Sequence, residues 1–281
     1  MRNALSVDVE DWFQVGAFET VIDRADWDML PRRVEANTDR VLALFDEAGV
    51  KATFFTLGWV AERHPALIRR IADAGHEIAS HGLDHRRVFA MDATAFRADL
   101  ARARAALEDA SGQCVTGYRA PSFSIDARTP WAHAVLGEEG YAYSSSVAPI
   151  AHDHYGWRES PRFAWKPLAD SELIELPVTT VHVVGRRMAA GGGGFFRLLP
   201  YALSSWAVSR VNGAEQRPAI FYFHPWEIDP DQPRVANAPL KSKLRHYTNL
   251  AEMRPKLLKL LRAHDWGRTD EVAAVERARR S

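Results

Sequence analysis

The chain has a single cysteine, Cys114, so it can form no internal disulfide and no thiolate cluster able to hold a structural zinc. An excess of one charge is missing too: 36 Lys and Arg balance 36 Asp and Glu. Proteins whose main task is gripping nucleic acid or an anionic bilayer carry a basic surplus, and the balance argues against both. Long uncharged apolar runs are absent, which excludes a transmembrane helix. The first carboxylate arrives at Asp8, leaving no room for the apolar region of a signal peptide. Cytoplasmic residence is therefore expected, with periplasmic or membrane-peripheral action left open. What is present is an ordinary globular composition: 281 residues, 47% hydrophobic and 26% charged.

Short apolar runs alternate with amphipathic stretches. Strands are expected at residues 4–9, 50–57, 76–80, 116–118 and near Tyr141, then again at 173–184 and 219–223. Helices are expected at 34–48, 65–74, 92–110, 130–139, 200–211 and 250–263, several of them stopped by glycine (Gly49, Gly75, Gly112). Residues 147–169, rich in Pro, His and aromatics, read as loops, and the charged tail 268–281 reads as frayed. Repeated β-α units imply a parallel sheet covered by helices, and their number favours a barrel over an open sheet. In such barrels chemistry gathers at the carboxyl ends of strands, and four polar clusters fall there.

Asp8, Glu10 and Asp11 crowd three carboxylates into one strand end, a repulsion that a cation or a shared proton relieves. His81 and His85 place two imidazoles four apart, on one face if the segment turns helically, as a metal with nitrogen ligands requires. Gly82 stands where a zinc protease would carry its glutamate. Arg119 can pair with a carboxylate, and His224, between an apolar strand and Pro225, is expected to be partly desolvated with a lowered pKa. Each cluster alone is more ordinary as a turn or a core histidine. Together they are the parts of a metal-assisted hydrolase.

In order along the chain, Asp8–Asp11, VKATFF (50–55), AGHEIASHGLDH (74–85), GYRAP (117–121) and FYFHP (221–225) resemble the motifs of polysaccharide deacetylases of the NodB-homology type, carbohydrate esterase family 4. GGGGFFRLLPY (191–201), HPWEIDPDQPR (224–234) and LRHYTNL (244–250) resemble a narrower exosortase-associated subgroup of exopolysaccharide loci. The resemblance implies a distorted (β/α)7 barrel, a TIM-barrel variant. It implies one catalytic domain over residues 1–267, with core motifs at 4–225 and a subgroup portion at about 150–265. It makes Asp8 the general base, held by Arg119, and His224 the general acid. His81, His85 and a carboxylate would hold one divalent ion, zinc by default, with cobalt, nickel or manganese compatible.

The usual adjacent aspartates are replaced here, and strand alternation favours Glu10 over Asp11 as ligand without excluding the latter. An amide near Ser122, after Pro121, would face the oxyanion. Of Trp157, Trp165, Trp206 and Trp226, one or two would line the glycan groove, with Trp206 and Trp226 favoured. Ser144 replaces a common aspartate in the expected pocket, and Gly191–Gly194 reads as a flexible flap. His152 and His154 sit in a loop able to cover the cleft, while the other histidines are expected to be structural. The implied reaction is N-deacetylation of N-acetylated sugars in an exopolysaccharide or its precursor. Hydrolysis of another C–N bond, such as a cyclic amide, and a non-catalytic carbohydrate-binding role are the rivals. Oligomeric state is left open.

Overall fold

The computed structural model describes residues 1–151 and 155–280. The strands are β1 (Asn3–Val9), β2 (Thr53–Thr56), β3 (Glu77–Ser80), β4 (Gly117–Tyr118), β5 (Tyr143–Ser144), β6 (Ile174–Glu175), β7 (Thr180–Val183), β8 (Arg186–Ala189), β9 (Ile220–Phe223) and β10 (Trp266–Gly267). Parallel pairing runs from β1 through β6 in chain order, and β1 also pairs in parallel with β9 and β10. Every residue of β1 is buried, and its polar Asn3 and Ser6 are satisfied by internal hydrogen bonds to Asn212 and the Phe221 carbonyl. The gap between β6 and β9 is bridged by single contacts. Thr179 donates its amide to the Ile220 carbonyl (3.2 Å), and Tyr222 donates to that of Gly191 (2.8 Å). The curled sheet is a distorted (β/α)7 barrel.

The helices between strands follow the apolar period. Val34–Ala48 stops at Gly49, whose φ of 68° suits glycine. Ala93–Ser111 starts where Asp92 accepts the Ala95 amide (2.8 Å). The stretch expected as one strand over 173–184 divides instead into β6 and β7, the latter pairing with β8 as an antiparallel hairpin. The tail expected to fray is a helix, Thr269–Ala278. Its amides at Thr269 and Asp270 donate to Thr53 Oγ1 (2.7 Å) and Glu77 Oε2 (3.2 Å) under the barrel, and Val272 and Ala273 are buried against it. Of the charges that suggested a solvated tail, Glu276 is buried and pairs with Arg279 and Arg280.

His76, just before β3, packs against Phe54 (centroids 5.0 Å) and accepts the Ala52 amide on Nδ1 (3.1 Å). Burial, with Lys51 nearby, pushes its pKa down from 6.5 to about 4. Below pH 6.5 the unfolded chain takes up a proton that the folded chain refuses until about pH 4. The stability that neutral His76 contributes is present above pH 6.5 and is lost as pH falls through this window, by on the order of 3 kcal/mol. Urea midpoints of the protein and of His76→Gln between pH 7.5 and 4.5 should therefore converge as pH falls; parallel curves would refute the assignment.

Candidate metal centre and active site

The site is built from strand ends. Alternation along β1 turns Ser6 and Asp8 to the same side, and the backbone carries Glu10 on beyond the last β-residue. His81 follows β3 and is pinned by its amide, which donates to the Thr56 carbonyl (2.9 Å). The segment from His81 to His85 does not turn helically, the condition on which spacing alone would put the two rings on one face. Left-handed backbone at Gly82 (φ 75°) and His85 (φ 60°) folds it into a tight turn, with the two ring centroids 5.6 Å apart. The first amides of helix Gly58–Arg63 hold that turn, Gly58 and Trp59 donating to the carbonyls of Gly82 (2.9 Å) and Leu83 (2.8 Å).

Glu10, His81 and His85 are all buried, and one ligand atom from each lies within 4.8 Å of the others. The donor set suits a divalent cation. His81 donates Nδ1–H to the Arg119 carbonyl (2.8 Å), which leaves the lone pair on Nε2. Burial pushes the His81 pKa down to about 4, so the ring is neutral, as a ligand must be. Glu10 Oε2 is buried without a hydrogen-bond partner, 3.0 Å from His85 Nε2. Burial opposes charge on Glu10, but His85 and His224 outweigh it and hold its pKa at about 2.

Asp11 does not join this group. Its Oδ1 accepts the Trp12 amide (2.8 Å), and its Oδ2 accepts the amides of Arg33 (2.8 Å) and Val34 (3.0 Å) at the start of helix Val34–Ala48. Both oxygens are spent on backbone donors, so Asp11 is a helix cap rather than a ligand. Asp11→Ala should cost about 1–2 kcal/mol of stability and leave metal content intact. Glu10→Gln should do the reverse. Denaturant titration and elemental analysis of the two variants check this.

Asp8 lines the same cleft as the trio, and its Oδ1 accepts from Arg119 Nη1 (2.7 Å). Arg119 is 0% exposed and is spent on several acceptors: it also donates to Ser6 Oγ (2.7 Å), the Ser145 carbonyl (3.0 Å) and Ser145 Oγ (2.9 Å). The Phe55 ring lies 4.1 Å from its guanidinium carbon. His224 donates Nδ1–H to Glu227 (2.8 Å), while its Nε2 lies 3.4 Å from Glu10. Glu227 in turn accepts from buried Arg197 (2.7 Å). The expected lowering of the His224 pKa is reversed. Burial does pull it down, but the carboxylates of Glu10 and Glu227 outweigh that and raise it to about 9. The apolar neighbours in FYFHP gave the wrong sign because two carboxylates reach the ring.

Asp8, Glu10, His81, His85, Ser122, His224 and Trp226 share one cleft, a cavity of about 350 Å³. Ser122 holds φ at 53°, a conformation costly for a residue with a Cβ and frequent at functional sites. Pro121 lies behind it, buried against the Gly82 turn. Trp226 is a wall of the cleft, stacked between His224 (5.0 Å) and His246 (4.0 Å). Trp206 does not belong here. It is 44% exposed and lines a separate apolar groove, because its helix Tyr201–Gly213 presents it away from the cleft.

Trp157 and Trp165 pack on each other (6.2 Å), and Ser144 is buried with its hydroxyl donating to Ser146 (2.8 Å). None of these three lines the cleft. Nor is the glycine run a loose flap: a Cβ on Gly191 would strike the Ile220 carbonyl at 2.2 Å and one on Gly193 would strike Glu227 at 2.3 Å. Only Gly194 of the four faces the cleft. His152 and His154 lie outside the described residues. Glu227 and Arg197 are the functional residues that sequence reading missed; the three-residue spacing of His224 and Glu227, a capping box, was the available signal.

Residues 26–141 match the family model of polysaccharide deacetylases, and residues 145–274 match a domain of unknown function. A peptidoglycan deacetylase of Helicobacter pylori is 31% identical over 157 residues, covering 51% of this chain and 53% of that protein. The chain spans about half the length, or less, of the curated relatives it matches. A Mycobacterium smegmatis crystal structure assigned to the polysaccharide deacetylases superposes with a TM-score of 0.63 at 23% identity, covering 99% of this chain and 92% of that one. The Puue allantoinase superposes with a TM-score of 0.60 at 18% identity, covering 98% and 89%. Both likenesses concern the fold. The similarity to the polysaccharide deacetylase family is carried by residues 26–141 of this chain.

Proposed function

We propose that the protein is a metal-dependent hydrolase that removes the acetyl group from N-acetylated sugars of an exopolysaccharide or its precursor, releasing acetate and a free amine. The observation that carries this reading is a single cleft in which Glu10, His81 and His85 converge between Asp8–Arg119 and His224–Glu227. A divalent ion in that trio, zinc by default, supplies Lewis acidity toward the amide carbonyl and the attacking water. Asp8, aimed by Arg119, accepts a proton from the water as the new C–O bond forms. An amide beside Ser122 faces the developing oxyanion. His224, oriented through Nδ1 by Glu227, delivers the proton that the departing nitrogen needs when the C–N bond breaks. Base and acid are thus two different side chains lining the same cleft.

Relatives described as acting on peptidoglycan and on chitin support an N-acetylated glycan as substrate. The allantoinase neighbour keeps a second reading alive, hydrolysis of another C–N bond on the same scaffold. Incubating the zinc-loaded protein with N-acetylglucosamine oligomers and, separately, with cyclic amides distinguishes them. Acetate and amine from the oligomers alone are expected. Ring opening of the cyclic amides with inert oligomers would transfer the assignment to the second reading. Sugar binding without turnover of either would leave a carbohydrate-binding protein.

A further inference from the structure

A net charge of zero conceals an uneven distribution. Residues 176–214 contain no Asp or Glu, and neither do residues 232–251, yet these stretches carry Arg186, Arg187, Arg197, Arg210, Arg234, Lys241, Lys243 and Arg245. Only Arg197 of these is buried, in its pair with Glu227. The same stretches are unusually apolar at their surface. Eleven large apolar side chains are exposed among the described residues, and seven of them fall between Val184 and Leu244. Val184, beside the β7–β8 turn, is 97% exposed. Met188, Leu203 and Trp206 line an apolar groove with Phe195. Phe195 also walls the catalytic cleft, together with Leu198, Ser242 and Arg245. Helix Leu240–Tyr247, which supplies the last two, exposes Leu240 and Leu244 among Lys241, Lys243 and Arg245.

We infer that this lip of the cleft is a docking surface for an anionic lipid bilayer, which brings the cleft mouth against the membrane. Basic side chains interleaved with exposed Leu, Met, Val and Trp are the chemistry of peripheral attachment: apolar tips enter the headgroup boundary while Lys and Arg pair with anionic lipids. A large apolar patch of this kind needs a cover. A second copy of the chain fits poorly, because a two-fold contact through this face would set Arg and Lys of two stretches that carry no Asp or Glu against their own copies. The zero net charge argues against a bilayer only when charge is averaged over the molecule. Docking is independent of the reaction above: vesicle binding by a protein inert toward every amide would refute the hydrolase and leave this surface standing.

Sedimentation with vesicles of phosphatidylglycerol mixed with phosphatidylcholine, compared with phosphatidylcholine alone, tests it. The full chain should pellet with the anionic vesicles at least tenfold more strongly than with neutral ones, and added salt should weaken that binding. Val184→Asp combined with Trp206→Asp should reduce binding at least tenfold, and Arg186→Glu combined with Arg210→Glu should do likewise. Turnover of a soluble N-acetylated oligomer should be unchanged in both, which also shows that the variants fold. Absence of binding, equal binding to neutral vesicles, or a concentration-dependent dimer dispersed by the same substitutions would each overturn the inference.

Discussion

Asp8→Asn should lose between about a hundredfold and ten-thousandfold in turnover, the range a positioned general base contributes, while the folded protein keeps its metal. The amide still accepts from Arg119 through its oxygen, so the local packing survives. It cannot take a proton from water. Because Glu10, His81 and His85 do not include Asp8, elemental analysis should find the same metal content as in the unaltered protein. His81→Ala should lose both metal and activity. If Asp8→Asn retained most of its turnover, the base would have to be sought elsewhere in the cleft. If it lost its metal, Asp8 would have to be a ligand.

Arg119→Met should be the most destabilising single change at the site, by roughly 3–5 kcal/mol, the usual consequence of removing one partner from a buried ion pair. Arg119 is wholly buried and Asp8 is 2% exposed, so water cannot replace the lost guanidinium. The Ser6 and Ser145 hydroxyls and the Ser145 carbonyl lose a donor in the same step. Arg119→Lys keeps the charge but not the fork, and should fall between. The double variant Arg119→Met with Asp8→Asn should recover part of the loss, because the unpaired buried charge is gone. Urea unfolding of the four proteins checks the order. A single Arg119→Met variant as stable as the unaltered protein would show that Asp8 does not depend on its partner.

The barrel and the strand-end positions of the site were legible because both follow from local pattern. Apolar runs of strand length alternate with 3.6-period stretches, and polar residues stand where a strand stops. What depends on distant partners was not legible. Nothing near Asp11 announces that the amides of Arg33 and Val34 will consume its oxygens; strand alternation alone pointed to Glu10. The sign of the His224 shift was misread because Glu10 comes from the other end of the chain and Glu227 from the turn beyond Pro225. Trp206 was misplaced because an exposed tryptophan reads the same whether it faces a sugar or another surface. The glycine run read as flexible, but Gly191 and Gly193 leave no room for a Cβ beside Ile220 and Glu227. The tail read as solvated because the groups that anchor it, Thr53 and Glu77, lie far away in the sequence.

The proposed reaction needs one ion held by Glu10, His81 and His85 in the cleft that also holds the proton acceptor and the proton donor. Titrating zinc into chelator-treated protein, while recording both bound metal and acetate released from N-acetylglucosamine oligomers, tests it most directly. One ion per chain is expected, with acetate release returning in proportion to occupancy, and with Glu10→Gln showing neither. Undiminished acetate release from metal-free protein, or unaltered zinc uptake by Glu10→Gln, would contradict it.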